Sequence, residues 1–221
     1  MKRDSYNRGY DAGIMLEDNS IGYAAVEARD TYVDDATYQN WQESGFYAVA
    51  YQWNGETVIS YRGTDNPNPL AEGSDFWNGW TLGAGFPQAS QGGLSIDFFE
   101  SVVGDGDANF SAFDAGAGDG VIVTGHSLGG GLAGYISLIT GAEGVGFDHM
   151  PFGAAALAEI SRVAEERAIA LGITYDELDA DVLAQLGMHM PSFADYSAYN
   201  VEGEVNTGLR DGSYALALGG I

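Results

Sequence analysis

The sequence contains no cysteine. That excludes a disulfide framework and a thiolate zinc site. Basic residues are scarce as well: eight Lys and Arg stand against 32 Asp and Glu, a formal net charge of −24. Such a surface repels phosphate, so neither nucleic acid nor an anionic membrane is expected as a partner. No apolar run approaches the ~20 residues of a membrane span. The opening "MKRDSYNRGYDAG" lacks the apolar centre of a signal peptide. There is no internal repeat, no heptad pattern and no loop with EF-hand spacing. Histidine is rare too. Only His126, His149 and His189 are present, so a general base has few possible sources.

What is present suits one ordinary core. The 221 residues with 45% hydrophobic content predict a single domain over 1–221. The acidic excess reads first as solubility or adaptation to salt. Carboxylate-rich loops also suit calcium, but no metal site and no cofactor are assigned.

Along the chain, apolar residues at helical spacing in "SIGYAAVEARDTYV" predict a helix over 20–33 with Ser20 as N-cap. "GFYAVAYQW" (45–53) and "ETVISYR" (56–62) are rich in β-formers and flank Asn54-Gly55. That dipeptide favours a two-residue turn, so the two runs form an antiparallel hairpin. Residues 65–92 make a long irregular segment carrying Phe76, Trp77, Trp80 and Phe86. Loops of that length are usually functional or disordered, and the aromatic load argues against disorder. Helix is expected over 94–103, an acidic glycine-rich surface loop over 104–120, and buried strands over 121–124 and 143–148. Further helices are expected over 127–140, 154–172 and 174–188, the last with a Thr174–Glu177 capping box. A final strand or strand edge is expected over 197–205. Helices alternating with buried strands predict an α/β fold with a mostly parallel sheet flanked by helices.

The chemistry centres on "GVIVTGHSLGGGLAGYIS", residues 120–137. Gly125-His126-Ser127-Leu128-Gly129 matches G-x-S-x-G between an apolar strand and a small-residue helix. This pattern sets a serine on a sharp turn and lifts its Oγ above the carboxyl edge of the sheet. The helix N-terminus then directs backbone N–H groups at a developing oxyanion. His126 adjoins the serine, but neighbours on a strand face opposite ways, so it reads as a packing or hydrogen-bonding residue.

"VTGHSLGGGLAGYIS" together with "VISYRGTDN" (58–66) resembles the class 3, fungal-triglyceride-lipase-like lipases of the α/β-hydrolase superfamily. The likeness is good over roughly residues 20–150 and looser beyond. It implies an α/β-hydrolase-like fold and a serine ester hydrolase acting on lipid acyl esters. Ser127 would be the nucleophile, with Thr64 and the backbone N–H of Leu128 in the oxyanion hole. Arg62 reads as a structural ion-pair partner. The aromatic segment 66–92 lies where that family carries a lid. Glu204, before Val205, stands where the family has its acid, usually Asp; Glu202 is the alternative. The resemblance also suggests bacterial export and, in larger relatives, calcium-binding repeats, which this chain lacks.

The base is the open question. The family's histidine follows its acid, and no histidine follows His189. Three explanations stay open. The domain continues past "ALALGGI" and the base lies there; the apolar, glycine-rich ending reads as an interrupted domain. Alternatively, an in-chain histidine substitutes. His149 follows strand 143–148 and so lies at the carboxyl edge, whereas His189 enters at the amino edge. His149 also reads as a loop residue with a structural hydrogen bond. In the third explanation the scaffold lacks the activity and serves as a lipase-like module that binds a lipid or a protein.

Overall fold

The computed structural model describes residues 25–26, 44–63 and 90–200. In chain order they form β1 (Ala25–Val26), β2 (Ala48–Trp53), β3 (Glu56–Tyr61), α1 (Ser90–Val103), β4 (Val121–His126) and α2 (Leu128–Thr140). Next come β5 (Glu143–Phe147), α3 (Gly153–Leu171), α4 (Ala180–Gln185), a 3₁₀ turn (Phe193–Asp195) and β6 (Tyr196–Tyr199). The strands lie in one sheet in the order of their sequence. β1, β2 and β3 pair antiparallel, and β3 to β6 run parallel. This is an α/β-hydrolase-like fold.

Local chemistry explains the parts that position the site. Asn54 and Gly55 both take positive φ, 53° and 88°, as a two-residue hairpin turn requires. Each later strand joins its parallel neighbour through a crossover that carries a helix. Successive right-handed crossovers in one direction place their helices on one face. Accordingly α1, α2 and α3 pack with Ala48, Ala50, Ile59, Val121 and Val123 in a single core. The opposite face carries a second cluster of Tyr47, Val49, Tyr51 and Val58, with Trp53 and Ile122 against it.

α2 is buried along its whole length and carries no charge, as a helix apolar on every side must be. α3 turns Ala155, Ala156, Ile160, Ala164 and Ala168 inward at helical spacing and stops at Gly172, φ 69°. Arg162 on the same helix pairs with the buried Glu159 and the exposed Glu166.

Four expectations are corrected. Ala25–Val26 is strand, paired with Gln52 and Tyr51, within the span where a helix over 20–33 was expected. The open edge of a hairpin offers that backbone a ladder, and tertiary pairing overrides local helical spacing. The helix expected over 174–188 is confined to Ala180–Gln185. Its cap is Asp179, whose carboxylate accepts from the Val182 N–H, and not Thr174. The acidic loop over 104–120 is more than surface: Ala112, Phe113 and Ala117 are buried. Arg167 pins it through Asp114 at 2.7 Å and Ser111 at 3.0 Å. The strand expected from 197 starts at Tyr196, and its expected continuation past residue 200 lies outside the described residues.

His189 enters at the amino edge. Its N–H donates to the Phe113 carbonyl at 3.0 Å. Its ring lies against Gly141, the left-handed C-cap of α2. Burial lowers its pKa, opposed by Asp195 and Asp119. A folded pKa below the unfolded value means that the unfolded chain takes up the proton first. Stability from His189 is therefore full above the unfolded value of ~6.5 and is lost as the pH falls towards the lower folded value. Asp97 and Glu100, raised by burial, act in the opposite sense at lower pH. Urea midpoints of the wild type are expected to fall more between pH 7 and pH 5 than those of His189→Gln. Equal slopes in the two proteins would contradict this account of His189.

Candidate functional site

Ser127 occupies the junction of β4 and α2 with φ 56° and ψ −123°. Positive φ with this ψ is backbone that glycine enters readily and a side chain does not. Holding a serine there costs on the order of 1–3 kcal/mol. The surroundings enforce it. The Ser127 N–H donates to the Phe147 carbonyl at 2.9 Å, and its own carbonyl accepts from Gly131 at 3.0 Å and Met150 at 3.1 Å. A serine at a helix N-cap normally has extended backbone and turns its hydroxyl back to the first amides. Ser127 makes no such bond. Its hydroxyl is therefore not used as a cap.

Both glycines of the pattern are forced by close approach. A Cβ at Gly125 would lie 2.7 Å from the Gly130 nitrogen, in the turn's own backbone. A Cβ at Gly129 would lie 2.6 Å from the Arg62 carbonyl carbon. The first turn of α2 thus presses on the end of β3, where Tyr61 pairs with Gly125. Leu128 opens α2, and amides of a first helical turn have no acceptor within the helix. Such amides at a positive helix end can receive an anion.

Arg62 is buried beneath this junction. Its guanidinium donates to the Gly45 carbonyl and lies 5.6 Å from the centre of the Tyr47 ring. A carbonyl and an aromatic face are thus among its partners, which places Arg62 in the scaffold.

His149 lies in the loop after β5, at the carboxyl edge and beside the turn. It is 1% exposed. Its Nδ1 is 2.9 Å from the Met150 carbonyl, a geometry in which Nδ1–H donates. The ring meets Phe152 and Tyr196 at 5.5 and 5.3 Å between centres. A Cβ at Gly130 would come within 2.8 Å of the His149 Cβ, so the histidine sits directly under the first turn of α2. Tyr196 closes the same corner by donating to the Gly130 carbonyl at 2.9 Å.

His126 points to the face away from the helices, with Nε2 3.7 Å from the Asp148 carboxylate. Asp148 itself has φ 45°, and its N–H donates to the Tyr199 carbonyl at 2.9 Å. Sequence reading did not single out Asp148. Its only local signal was its place as the last residue of the buried strand expected over 143–148.

Thr64, Glu202, Glu204 and residues 66–89 of the expected lid lie outside the described residues. Residues 90–92, expected to end that segment, are the first turn of α1. Among the described residues no group of three or more His, Asp and Glu gathers as a metal site, and no helix is long and apolar enough to cross a membrane.

The described geometry is therefore a strained serine at the carboxyl edge of a parallel sheet, its amide and carbonyl both fastened, at the head of a buried helix. No curated protein and no solved structure matches the chain. One family model does, and it spans nearly all of the sequence. Over residues 10–221 the match is to the Tle-like phospholipase domain, described as phospholipase-like. The chain belongs to this Tle-like phospholipase family, whose name denotes the hydrolysis of lipid esters.

Proposed function

We propose that the chain is a serine hydrolase that cleaves acyl esters of lipids through an acyl-enzyme, in the manner of the class 3 lipases that its motifs resemble. The observation that carries this reading is Ser127: a strained N-cap serine whose hydroxyl makes no cap bond. Strain of this kind at a half-buried serine on the carboxyl edge supports a reactive role. Ser127 Oγ attacks the ester carbonyl and loses its proton to a base. The resulting oxyanion is held by the Leu128 N–H and by Thr64. Collapse expels the alcohol, which takes the proton from the base, and water then releases the acid by the same route. Glu204 is the proposed orienting acid for a base supplied from elsewhere, since the Nδ1–H of His149 is already given to Met150.

Within these residues His149 is the proposed base. Donation from its Nδ1–H to Met150 leaves Nε2 as the proton acceptor, the tautomer a base needs. A second reading has its own support. Full burial and two aromatic neighbours suit a wedge that holds the turn in place. The chain would then be a lipase-like module that binds a lipid or protein partner, or would take its base from elsewhere.

The test is release of fatty acid from phosphatidylcholine micelles by wild type, Ser127→Ala and His149→Gln. The wild type is expected to release fatty acid. Ser127→Ala is expected to lose about 10⁴-fold or more. A base at His149 predicts a loss of about 10³-fold at an unchanged melting temperature. A wedge predicts a lowered melting temperature, with activity following the folded fraction. Equal release by wild type and Ser127→Ala contradicts the nucleophile.

A further inference from the structure

Phe147 and Tyr199 are large aromatic residues left partly in water, 37% and 59% exposed. Both end their strands at the carboxyl edge, and they are register partners across β5 and β6. Their rings stack at 5.7 Å between centres and 25° between planes. In the next register pair Phe147 stands opposite His126. Register partners share a face, so His126, Phe147 and Tyr199 form one row on the face away from the helices, one residue from Ser127.

The row is also fastened to the serine turn. The Phe147 carbonyl receives the Ser127 N–H, and the Tyr199 carbonyl receives the Asp148 N–H, each at 2.9 Å. Other exposed large apolar residues among those described, Ile169, Leu171 and Met190, lie on α3 and in the loop after α4. A chain with net charge −24 has ample polar surface. It nevertheless presents two stacked rings beside its reactive edge.

We infer that Phe147 and Tyr199 form an apolar ledge that takes the acyl chain of the ester whose carbonyl meets Ser127. This inference rests on the proposed hydrolase reading. An acyl chain is the occupant because an ester bound at Ser127 must lead its hydrocarbon away from the turn. Among the described residues this row is the exposed apolar surface joined to the turn by hydrogen bonds. Each methylene laid on the rings leaves water, so the ledge contributes more to long chains than to short ones.

The test measures kcat/KM on p-nitrophenyl butanoate and p-nitrophenyl dodecanoate, with labelling of Ser127 by a short-chain fluorophosphonate alongside. In the Phe147→Ala/Tyr199→Ala double variant the dodecanoate-to-butanoate ratio is expected to fall about tenfold. Phe147→Leu with Tyr199→Phe keeps apolar surface and is expected to restore the ratio. Loosening of the turn alone would lower both esters and the labelling rate in proportion, leave the ratio unchanged and overturn the ledge. An unchanged ratio with normal labelling overturns it as well. If the wild type neither labels nor hydrolyses either ester, the hydrolase reading fails and the ledge fails with it.

Discussion

Ser127→Gly is expected to be inactive and yet more stable than the wild type by about 1 kcal/mol. Two terms decide the sign. Relief of a positive-φ side chain contributes on the order of 1–3 kcal/mol. The extra backbone entropy of glycine in the unfolded chain costs about 0.5–1 kcal/mol. The lost hydroxyl has little offsetting effect, because it makes no cap bond with α2. Ser127→Ala separates the terms: it removes the same hydroxyl, keeps the strain and is expected to melt close to the wild type. Urea denaturation of the three proteins checks the order. A Ser127→Gly protein less stable than Ser127→Ala would mean that the turn at φ 56° is not strained.

The second large effect is structural. Gly129→Ala is expected to destabilise the fold by about 3 kcal/mol, at the upper end for overpacking. The new methyl group would meet backbone and not a side chain that could turn away: the Tyr61 and Arg62 carbonyls at the end of β3. Relief requires α2 to move off the sheet, and α2 is buried throughout. The shift would also turn the Leu128 N–H from its direction at the serine turn, so whatever folded protein remains should lose activity. Gly93→Ala is the comparison. It lies in α1 with open space around it, and alanine there should be neutral or slightly stabilising. Circular dichroism melting of the two variants distinguishes them. Equal melting temperatures would show that the helix is not pressed on β3.

These effects also show why some of the architecture was legible in the sequence. Asn54-Gly55 specifies its own φ angles, so the hairpin can be read from two residues. The spacing of Gly125, Ser127 and Gly129 encodes a steric requirement of the strand–helix turn, and the turn is where that spacing put it. The α3 stripe of alanine and isoleucine is periodic enough to declare a helix.

The parts that were not legible depend on partners distant in sequence. Ala25–Val26 becomes strand because β2 offers it an edge, which nothing in its own stretch reveals. The helix at Ala180–Gln185 starts after Asp179 because that carboxylate reaches Val182, whereas the local spacing pointed to Thr174. Burial of Phe113 inside an acidic loop follows from α1, α3 and the bridge between Asp114 and Met188. The corner around Ser127 shows both sides. The serine is announced by local spacing. The side chains around it, Asp148 against His126 and Tyr196 under Gly130, meet only once β4, β5 and β6 are in register.

The central claim is that Ser127 is a nucleophile. Its most direct test is covalent labelling of the intact chain with a fluorophosphonate, the modified residue being located by peptide mass spectrometry. The account predicts one adduct, on Ser127, formed far faster in the wild type than any adduct in Ser127→Ala. No adduct, or one on another residue that forms equally fast in Ser127→Ala, would contradict it.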